Sequence, residues 1–284
     1  MILITGASGK TGRAVLTALL RKAETVRAFV HRPDQIDPIR ESGAQESISG
    51  DMSDRQSLRI GMQGISAVYH ICSNMDPAEL EIGEAAIQAA IETGVTRFVY
   101  HSVLHPQVKE MPHHWLKMQV EQRLFTSGLN YTILQPAAYM QNVRGYWKQM
   151  DEMGEYRVPY KVTSRQSLVD LRDVAEAAAI VLTDPYHDYA IYELSGPQAL
   201  SAQEIAAKVS AKLDHTVIAH SLERSAWETG VRKSGMPEYS VQSLSKMFAY
   251  YEEHDFIGNP NVLEWVLKRK ATSFDAYLER IGPD

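Results

Sequence analysis

The chain has 284 residues, of which 44% are hydrophobic and 23% are charged, and its formal net charge is −6. This composition excludes intrinsic disorder and collagen-like repetition, and the length suits one large domain or a domain with a smaller second part. Lysines and arginines are dispersed and outnumbered by acidic residues, so the sequence offers no basic stripe for a nucleic-acid backbone. We therefore expect any anionic ligand to bind at a local site.

The cellular compartment is indicated by two features of the sequence. A single cysteine, Cys72, allows no internal disulfide, which is typical of a reducing compartment. The start, Met-Ile-Leu-Ile-Thr-Gly, has no basic segment before its short apolar run and predicts a first β-strand rather than a signal peptide. No window reaches the roughly 18 uninterrupted apolar residues that would span a bilayer. We predict a cytoplasmic protein that does not enter membranes.

Up to about residue 136, short β-branched runs alternate with longer helical patterns, which predicts a parallel sheet covered by helices on both faces. The predicted strands are Ile2–Thr5, Thr25–Val30, Glu46–Ser49, Ala67–Ile71, Arg97–His101 and Asn130–Leu134. Apolar residues at helical spacing predict helices over Thr11–Lys22 and Glu79–Thr93, the second ended by Gly94. Right-handed crossovers turn this order into an α/β, doubly wound fold.

The regular alternation breaks after Tyr139, where aromatic residues and methionines are separated by polar ones. Three further predicted elements, a helix, a strand and a helix, are Leu171–Leu182, Tyr189–Leu194 and Ala202–Leu213. No repeat or linker divides the chain. We therefore expect a sheet domain over residues 1–150, joined by a later strand near 189–195, and a smaller, mainly helical cap subdomain over residues 151–284.

A glycine-rich turn joins the predicted first strand to the predicted first helix. Gly6 permits a tight exit from the strand, Gly9 lets backbone N–H groups approach a pyrophosphate, and Gly12 allows close packing of helix on strand. The helix dipole adds partial positive charge under the anion. This context favours dinucleotide binding over a plain turn. The residues of the turn predicted to contact the cofactor are Gly6, Ser8, Gly9, Lys10, Thr11 and Gly12.

The second strand ends in Val30-His31-Arg32-Pro33, without the carboxylate that would bind the ribose 2′-hydroxyl of NAD. A guanidinium at this point suits a 2′-phosphate, and charge-assisted contacts of this kind are worth about 1.5–3 kcal/mol. We therefore predict NADP(H) as the cofactor, with Lys10 as a second cation. A solvated surface arginine is the alternative.

Further cofactor contacts are expected at the carboxyl ends of the strands, where ligands bind in open α/β sheets. Asp51 follows the third strand and is predicted to accept a hydrogen bond from the adenine amine, or else to serve only the turn, while Asp54 is a candidate helix cap. Cys72 is interpreted as a small buried residue rather than a redox group. The other contacts predicted here are His31, Met52, Ile71, Cys72 and Pro136.

An ordered series of segments resembles the NmrA-like, atypical branch of the short-chain dehydrogenase/reductase superfamily, which includes quinone reductases, dye reductases and NADP-sensing regulators. The segments are GASGKTG at 6–12, the arginine after strand two, GD at 50–51, AAIETGVTRFVYHSV at 89–103, KMQVEQRLFTSGLNYTILQPAAYMQN at 117–142, DLRDVAEAAAIVL at 170–182, YELSGPQALSAQEIA at 192–206 and SFDAYL at 273–278. The resemblance covers nearly the whole chain. It implies a Rossmann domain and a small C-terminal subdomain that frame a substrate cleft.

Typical members of the parent superfamily carry Tyr-x-x-x-Lys, in which the lysine lowers the tyrosine pKa and holds the nicotinamide ribose while a serine orients the carbonyl. This sequence reads His113-His-Trp-Leu-Lys117, so the lysine is kept and the tyrosine is not, and Ser102 matches the serine. The resemblance implies that Lys117 binds ribose, and His113 is either a proton donor or a packing residue. An ion pair of Lys117 with Glu121, four residues on, is the plain alternative. The nearby histidines do not have the spacing of metal ligands, so we expect no metal site.

The segment after Pro136 should leave the carboxyl edge of the sheet. Its aromatic and methionine side chains are predicted to form an apolar wall for a flat aromatic acceptor, with ordinary subdomain core as the alternative. The predicted substrate contacts are Tyr139, Met140, Asn142, Tyr146 and Trp147.

We expect an NADPH-binding oxidoreductase that passes hydride from nicotinamide to a quinone-like or other conjugated small molecule. Two alternatives stay open. One is a non-catalytic NADP(H)-sensing regulator of NmrA type acting through a protein partner, and the other is an isoflavone-reductase-like enone or ether reductase that uses Lys117 as its acid/base. The expected partners are an apolar or aromatic substrate and either a regulatory protein or a second copy of the chain.

Overall fold

A computed structural model describes residues 1–281, and the chain divides into two compact units. The first unit contains Met1–Gln107, His113–Pro136 and Leu171–Tyr192. The second contains Val108–Pro112, Ala137–Asp170 and the residues from Glu193 onward. Each unit has its own core, and each is described by itself below.

The strands of the described chain are β1 (Ile2–Ile4), β2 (Val26–Val30), β3 (Glu46–Ser49), β4 (Ala67–His70), β5 (Arg97–His101), β6 (Tyr131–Pro136), β7 (Ala138–Tyr139), β8 (Glu155–Val158), β9 (Arg165–Val169), β10 (Ala190–Leu194), β11 (Ala199–Ser201) and β12 (Ile218–Ser221). The α-helices are α1 (Lys10–Arg21), α2 (Ile36–Glu41), α3 (Arg55–Gly61), α4 (Glu79–Thr93), α5 (Pro112–Phe125), α6 (Trp147–Met153), α7 (Leu171–Thr183), α8 (Ala202–Leu213), α9 (Arg224–Lys233), α10 (Glu238–His254), α11 (Asn261–Leu267) and α12 (Phe274–Arg280). Short 3₁₀ turns cover Pro33–Gln35, Met140–Tyr146 and Pro185–His187.

The first unit is organised around a seven-stranded sheet with the order β10-β6-β5-β4-β1-β2-β3. The neighbouring strands from β6 to β3 pair in parallel. Ile4 lies between Ala28 of β2 and Tyr69 of β4, and all three side chains are buried, as a strand covered on both faces requires. The order reverses direction between β1 and β4, which is the point where ligands bind in such sheets. The predicted doubly wound fold is confirmed.

Local signals predicted several element boundaries of the first unit correctly. The helix α4 ends at Gly94, whose φ of +71° is the left-handed conformation that glycine adopts without strain. The Asp54 side chain accepts hydrogen bonds from the backbone N–H groups of Gln56 and Ser57, so Asp54 is the N-cap of α3. Between β1 and the helices α3, α4 and α5 lies one continuous apolar core that includes Leu3, Phe98 and other strand residues.

The second unit contains two small sheets that the sequence analysis did not place. The strands run in the order β11-β9-β7 in one sheet, while β12 pairs in parallel with β8 in the other. Their buried side chains join those of α6, α8 and α12 in a separate core. The second unit therefore has α/β character. Within residues 1–281, no helix combines the length and the apolar character that crossing a bilayer needs.

Candidate functional site

The turn between β1 and α1 brings bare backbone to the end of a helix. Gly6 has φ +57°, and a Cβ at Gly12 would stand 2.4 Å from the Gly6 carbonyl oxygen, so both positions require glycine. Gly9 is the N-cap of α1, and its N–H donates to the Gly6 carbonyl at 3.0 Å. The first turn of α1 carries no acidic residue. The turn therefore leads into the positive end of a 12-residue helix, a position that favours negative charge.

The end of β4 lies against this turn. The Ile71 N–H donates to the Thr5 hydroxyl at 2.9 Å, and a Cβ on Gly6 would lie 3.2 Å from the Ile71 carbonyl oxygen. The next residue, Cys72, is buried, and burial raises the pKa of its thiol. A neutral buried thiol is what the sequence interpretation of Cys72 expects. Among residues 1–281, no group of His, Cys, Asp and Glu side chains has the arrangement of a metal site.

The predicted nucleotide contacts after β2 and β3 are on the surface. The Arg32 guanidinium lies 3.1 Å from an Asp34 carboxylate oxygen, and both side chains are more than half exposed, at 60% and 67%. An exposed pair of this kind contributes little free energy, so the guanidinium remains able to exchange its partner for a phosphate. Asp51 is also exposed, and its Oδ1 accepts from the Ser53 N–H at 2.8 Å, which holds the pKa of Asp51 below its usual value. Met52 packs against the apolar core.

Lys117 is buried on α5 and has acceptors that the sequence analysis did not find. Its Nζ donates to Glu79 Oε1 at 3.0 Å and to the His101 carbonyl at 3.1 Å. The Tyr100 hydroxyl donates to the same Glu79 oxygen at 2.7 Å, and the Tyr100 ring centroid is 5.2 Å from Nζ. The carboxylate paired with Lys117 is thus Glu79, 38 positions earlier, rather than Glu121, so the i,i+4 ion pair given as the alternative does not form.

Glu121 belongs to a second buried network beside Lys117. The Ser102 hydroxyl donates to the Glu121 carboxylate, and the side-chain amide of Gln135 donates to both Glu121 oxygens at 3.0 Å. Burial raises the pKa of Glu121, although these hydrogen bonds oppose the shift. Ser102 therefore stands at the end of β5 as predicted from the resemblance, with its hydroxyl proton directed to Glu121. Its proposed action on a substrate carbonyl stays a prediction.

The histidines around Lys117 are buried and neutral at pH 7. Burial, reinforced by the positive charge of Lys117, lowers the pKa of His70 and of His101 to about 3. His113, in the position of the superfamily tyrosine, has its pKa lowered well below the ordinary value for the same two reasons. His113 Nδ1 is buried without a hydrogen-bond partner in the described part of the chain. An imidazolium proton donor at position 113 is therefore disfavoured at neutral pH, and a packing role is favoured.

The residues predicted to contact a substrate all lie in the second unit. Met140 and Trp147 are buried in its apolar core, which is the alternative that the sequence left open for this segment. Tyr146 is half-buried and packs edge-on against Tyr156 with 5.2 Å between ring centroids. Tyr139 is half-buried and Asn142 is exposed. Substrate contact by these side chains stays a prediction.

Glu79, Tyr100 and Gln135 are the polar residues that sequence reasoning missed. Glu79 is in the first turn of α4, where a carboxylate is ordinarily explained by the helix dipole. Tyr100 sits in a buried strand and gives the pattern of a core residue. The pairing of β5 with β4 brings Glu79 and Tyr100 to Lys117, and its pairing with β6 brings Gln135 to Glu121. Both pairings are tertiary features.

Two proteins similar in sequence over most of the chain are named as reductases. The NAD(P)H azoreductase of Xenophilus azovorans is 28% identical over 283 residues, which cover 98% of this chain and 97% of that protein. Quinone oxidoreductase 2 of Escherichia coli (strain K12) is 26% identical over 253 residues, with 86% of each chain covered.

Solved structures agree with the fold. The triphenylmethane reductase of Citrobacter sp., solved in complex with NADP(H), superposes with a TM-score of 0.87 at 21% identity, covering 99% of each chain. The model of the NmrA-like family matches residues 1–279, nearly the whole chain. These matches confirm the resemblance seen in the sequence motifs, and the chain belongs to the NmrA-like family.

Proposed function

We propose that the protein is an NADPH-dependent reductase of quinone-like or other conjugated small molecules. The observation that carries the proposal is the glycine turn at the amino end of α1, where Gly6 and Gly12 bring bare backbone to the positive end of a helix. The turn lies where the order of the parallel strands reverses, which is the usual position of a dinucleotide in such a sheet.

The residues at the carboxyl edge of the first unit fit the parts of NADPH. The α1 turn suits the pyrophosphate, Arg32 the 2′-phosphate and Asp51 the adenine amine, while Lys117 would hold the nicotinamide ribose. The end of β2 carries His31 and Arg32 where a carboxylate would bind the ribose 2′-hydroxyl of NAD, which supports NADPH over NADH. NADPH supplies a hydride when bound, and the chain would bind and orient it.

The residues around Lys117 and the names of two relatives support this choice of acceptor class. A ketone needs an acid that protonates an alkoxide, and the superfamily tyrosine for that step is replaced by buried, neutral His113. A quinone or an azo compound is activated enough to accept hydride while its product takes a proton from water. The relatives named as azoreductase and quinone oxidoreductase support this choice.

A regulator that binds NADP(H) without turnover is the second candidate, and the same replacement of tyrosine by His113 favours it. Steady-state oxidation of NADPH, measured against a panel of quinones, azo dyes, cationic dyes and enones, separates the two. Acceptor-dependent oxidation supports the reductase. Tight binding of both NADP⁺ and NADPH without oxidation by any acceptor supports the regulator.

A further inference from the structure

Lys117 is held by two buried acceptors. An ammonium group has three N–H donors. The Glu79 carboxylate and the His101 carbonyl take two of them at 3.0 and 3.1 Å. The Lys117 side chain keeps 6% of its surface exposed, whereas the Glu79 side chain has none. Among residues 1–281, these two acceptors leave one N–H of Lys117 without a hydrogen bond, and the other two bonds set its direction.

Glu79 cannot touch a ligand itself, because its side chain is fully buried. It is fixed in turn by the Tyr100 hydroxyl, which donates to Oε1 at 2.7 Å, and by its place in the first turn of α4. Any effect of Glu79 on bound nucleotide must therefore pass through Lys117.

A purely structural explanation of the pair is energetically weak. Burying a carboxylate and an ammonium costs desolvation free energy that their attraction often fails to recover, and well-packed apolar pairs are frequently as stable. The second carboxylate oxygen, Glu79 Oε2, is buried without a hydrogen-bond partner in the described chain, which adds to the cost. A role in orienting the Lys117 ammonium explains the arrangement better than stability does.

We infer that Glu79 is a positioning residue that orients the Lys117 ammonium toward the nicotinamide ribose, with Tyr100 holding Glu79 in place. The inference rests on the proposed function, since it presumes that the nucleotide binds at this edge of the sheet. It assigns a new role to a residue outside the recognised sequence motifs. It also predicts that Glu79 matters for one half of the dinucleotide only.

The test compares two ligands that differ in that half. NADPH contains the nicotinamide ribose, whereas adenosine 2′,5′-bisphosphate contains only the adenosine end. Dissociation constants for both are measured by calorimetry on the wild type, Glu79→Gln, Lys117→Met and the double variant. We expect Glu79→Gln to weaken NADPH binding by about tenfold or more, the range of one charge-assisted contact. Affinity for the bisphosphate should change by less than about twofold, because the adenosine contacts are unaltered.

The double variant measures the energetic coupling between Glu79 and Lys117 in NADPH binding. If Glu79 acts only through Lys117, the double variant binds NADPH no more weakly than Lys117→Met alone. Asp188→Asn is the matched control, because it breaks a different ion pair of the first unit, that with Arg97 at the opposite end of β5. It should leave both dissociation constants unchanged. Should Glu79→Gln fail to fold, Tyr100→Phe removes one hydrogen bond to the same carboxylate and is measured instead.

Two results would overturn the inference while leaving the proposed function intact. In the first, Glu79→Gln binds NADPH with the dissociation constant of the wild type. In the second, Glu79→Gln loses affinity for both ligands equally, which indicates a general loosening of the fold. A wild-type chain that binds neither ligand overturns the proposed function, and the inference with it.

Discussion

Gly12 of α1 lies so close to Gly6 that a Cβ at position 12 would be 2.4 Å from the Gly6 carbonyl oxygen and 2.7 Å from the Cα of Ala7. All the atoms approached are backbone atoms, which cannot move aside by a rotamer change. The contact fixes the start of α1 against the end of β1, and with it the direction of the helix N-terminus.

Gly12→Ala should therefore damage both stability and nucleotide binding. Overpacking of this kind costs about 1–3 kcal/mol, and the displaced turn should lose pyrophosphate contacts. Urea unfolding and NADPH titration measure the two effects. Gly230→Ala in α9 is the control, because a Cβ there meets no atom within 4 Å. It should raise stability by about 0.5–1 kcal/mol through helix propensity and leave NADPH binding unchanged. Equal behaviour of the two variants would contradict this account of the turn.

Arg32 should set the preference for NADPH over NADH. Removing the guanidinium in Arg32→Ala should reduce the ratio of the two affinities by about ten- to a hundredfold, the range of a charge-assisted phosphate contact. Asp34 competes with the phosphate for the same guanidinium at 3.1 Å, so Asp34→Asn should strengthen NADPH binding and leave NADH binding unchanged. Titrations of both nucleotides with the three proteins check this. An unchanged ratio in Arg32→Ala would exclude the 2′-phosphate role.

Stability should fall steeply as the solution is acidified below neutrality. The pKa of His70 and of His101 is about 3 in the folded protein against an ordinary value of 6.5, so between these pH values the unfolded chain binds protons that the native chain does not. Burial raises the pKa of Glu121, so above its ordinary pKa the native chain holds a proton that the unfolded chain releases. Glu121 therefore opposes the effect of the histidines on stability. His114, at about 4, adds to the histidine effect.

The expected slope exceeds about 1.4 kcal/mol of unfolding free energy per pH unit between pH 6 and 5, since more than one proton is taken up on unfolding. Urea unfolding at a series of pH values measures it. His70→Gln should lower the slope by about 1.4 kcal/mol per pH unit, the contribution of one proton. Constant stability from pH 6.5 to pH 5 would show that these imidazoles are not buried in the neutral form.

Lys117→Met distinguishes a ribose ligand from an acid/base. Loss of a ribose contact should raise the NADPH dissociation constant about tenfold or more. If Lys117 were instead the proton donor of an isoflavone-reductase-like reaction, binding would stay normal and the rate of reduction would collapse. Nucleotide titration and single-turnover rates on the same preparation separate these results, and our account expects the first.

Much of the fold could be predicted because its signals are local. Short β-branched runs, several of them continuously apolar, predicted strands β1 to β6. Gly94 and Asp54 predicted helix ends that the structure confirms. The small sheets of the second unit were missed because their strands are short and pair across long sequence separations, as β12 does with β8. Such pairing depends on tertiary contacts that no local pattern records.

The candidate site divides along the same line. The glycine turn could be identified from its spacing, because a side chain at each glycine would crowd neighbouring atoms. The partner of Lys117 could not, because helical spacing offered Glu121 and only the sheet brings Glu79 to the ammonium. Met140 and Trp147 were predicted to contact substrate but lie in the apolar core. The sequence could not separate the two roles, because apolar residues near a predicted site have the same pattern as core residues.

The central claim is reduction of an activated acceptor by bound NADPH, and anaerobic stopped-flow tests it most directly. The protein is loaded with NADPH or with NADPH deuterated at the transferred position, and each complex is mixed with a quinone or an azo dye. Our account predicts acceptor-dependent loss of the NADPH absorbance, slower with the deuterated nucleotide. Tightly bound NADPH that no acceptor of either class oxidises would contradict it.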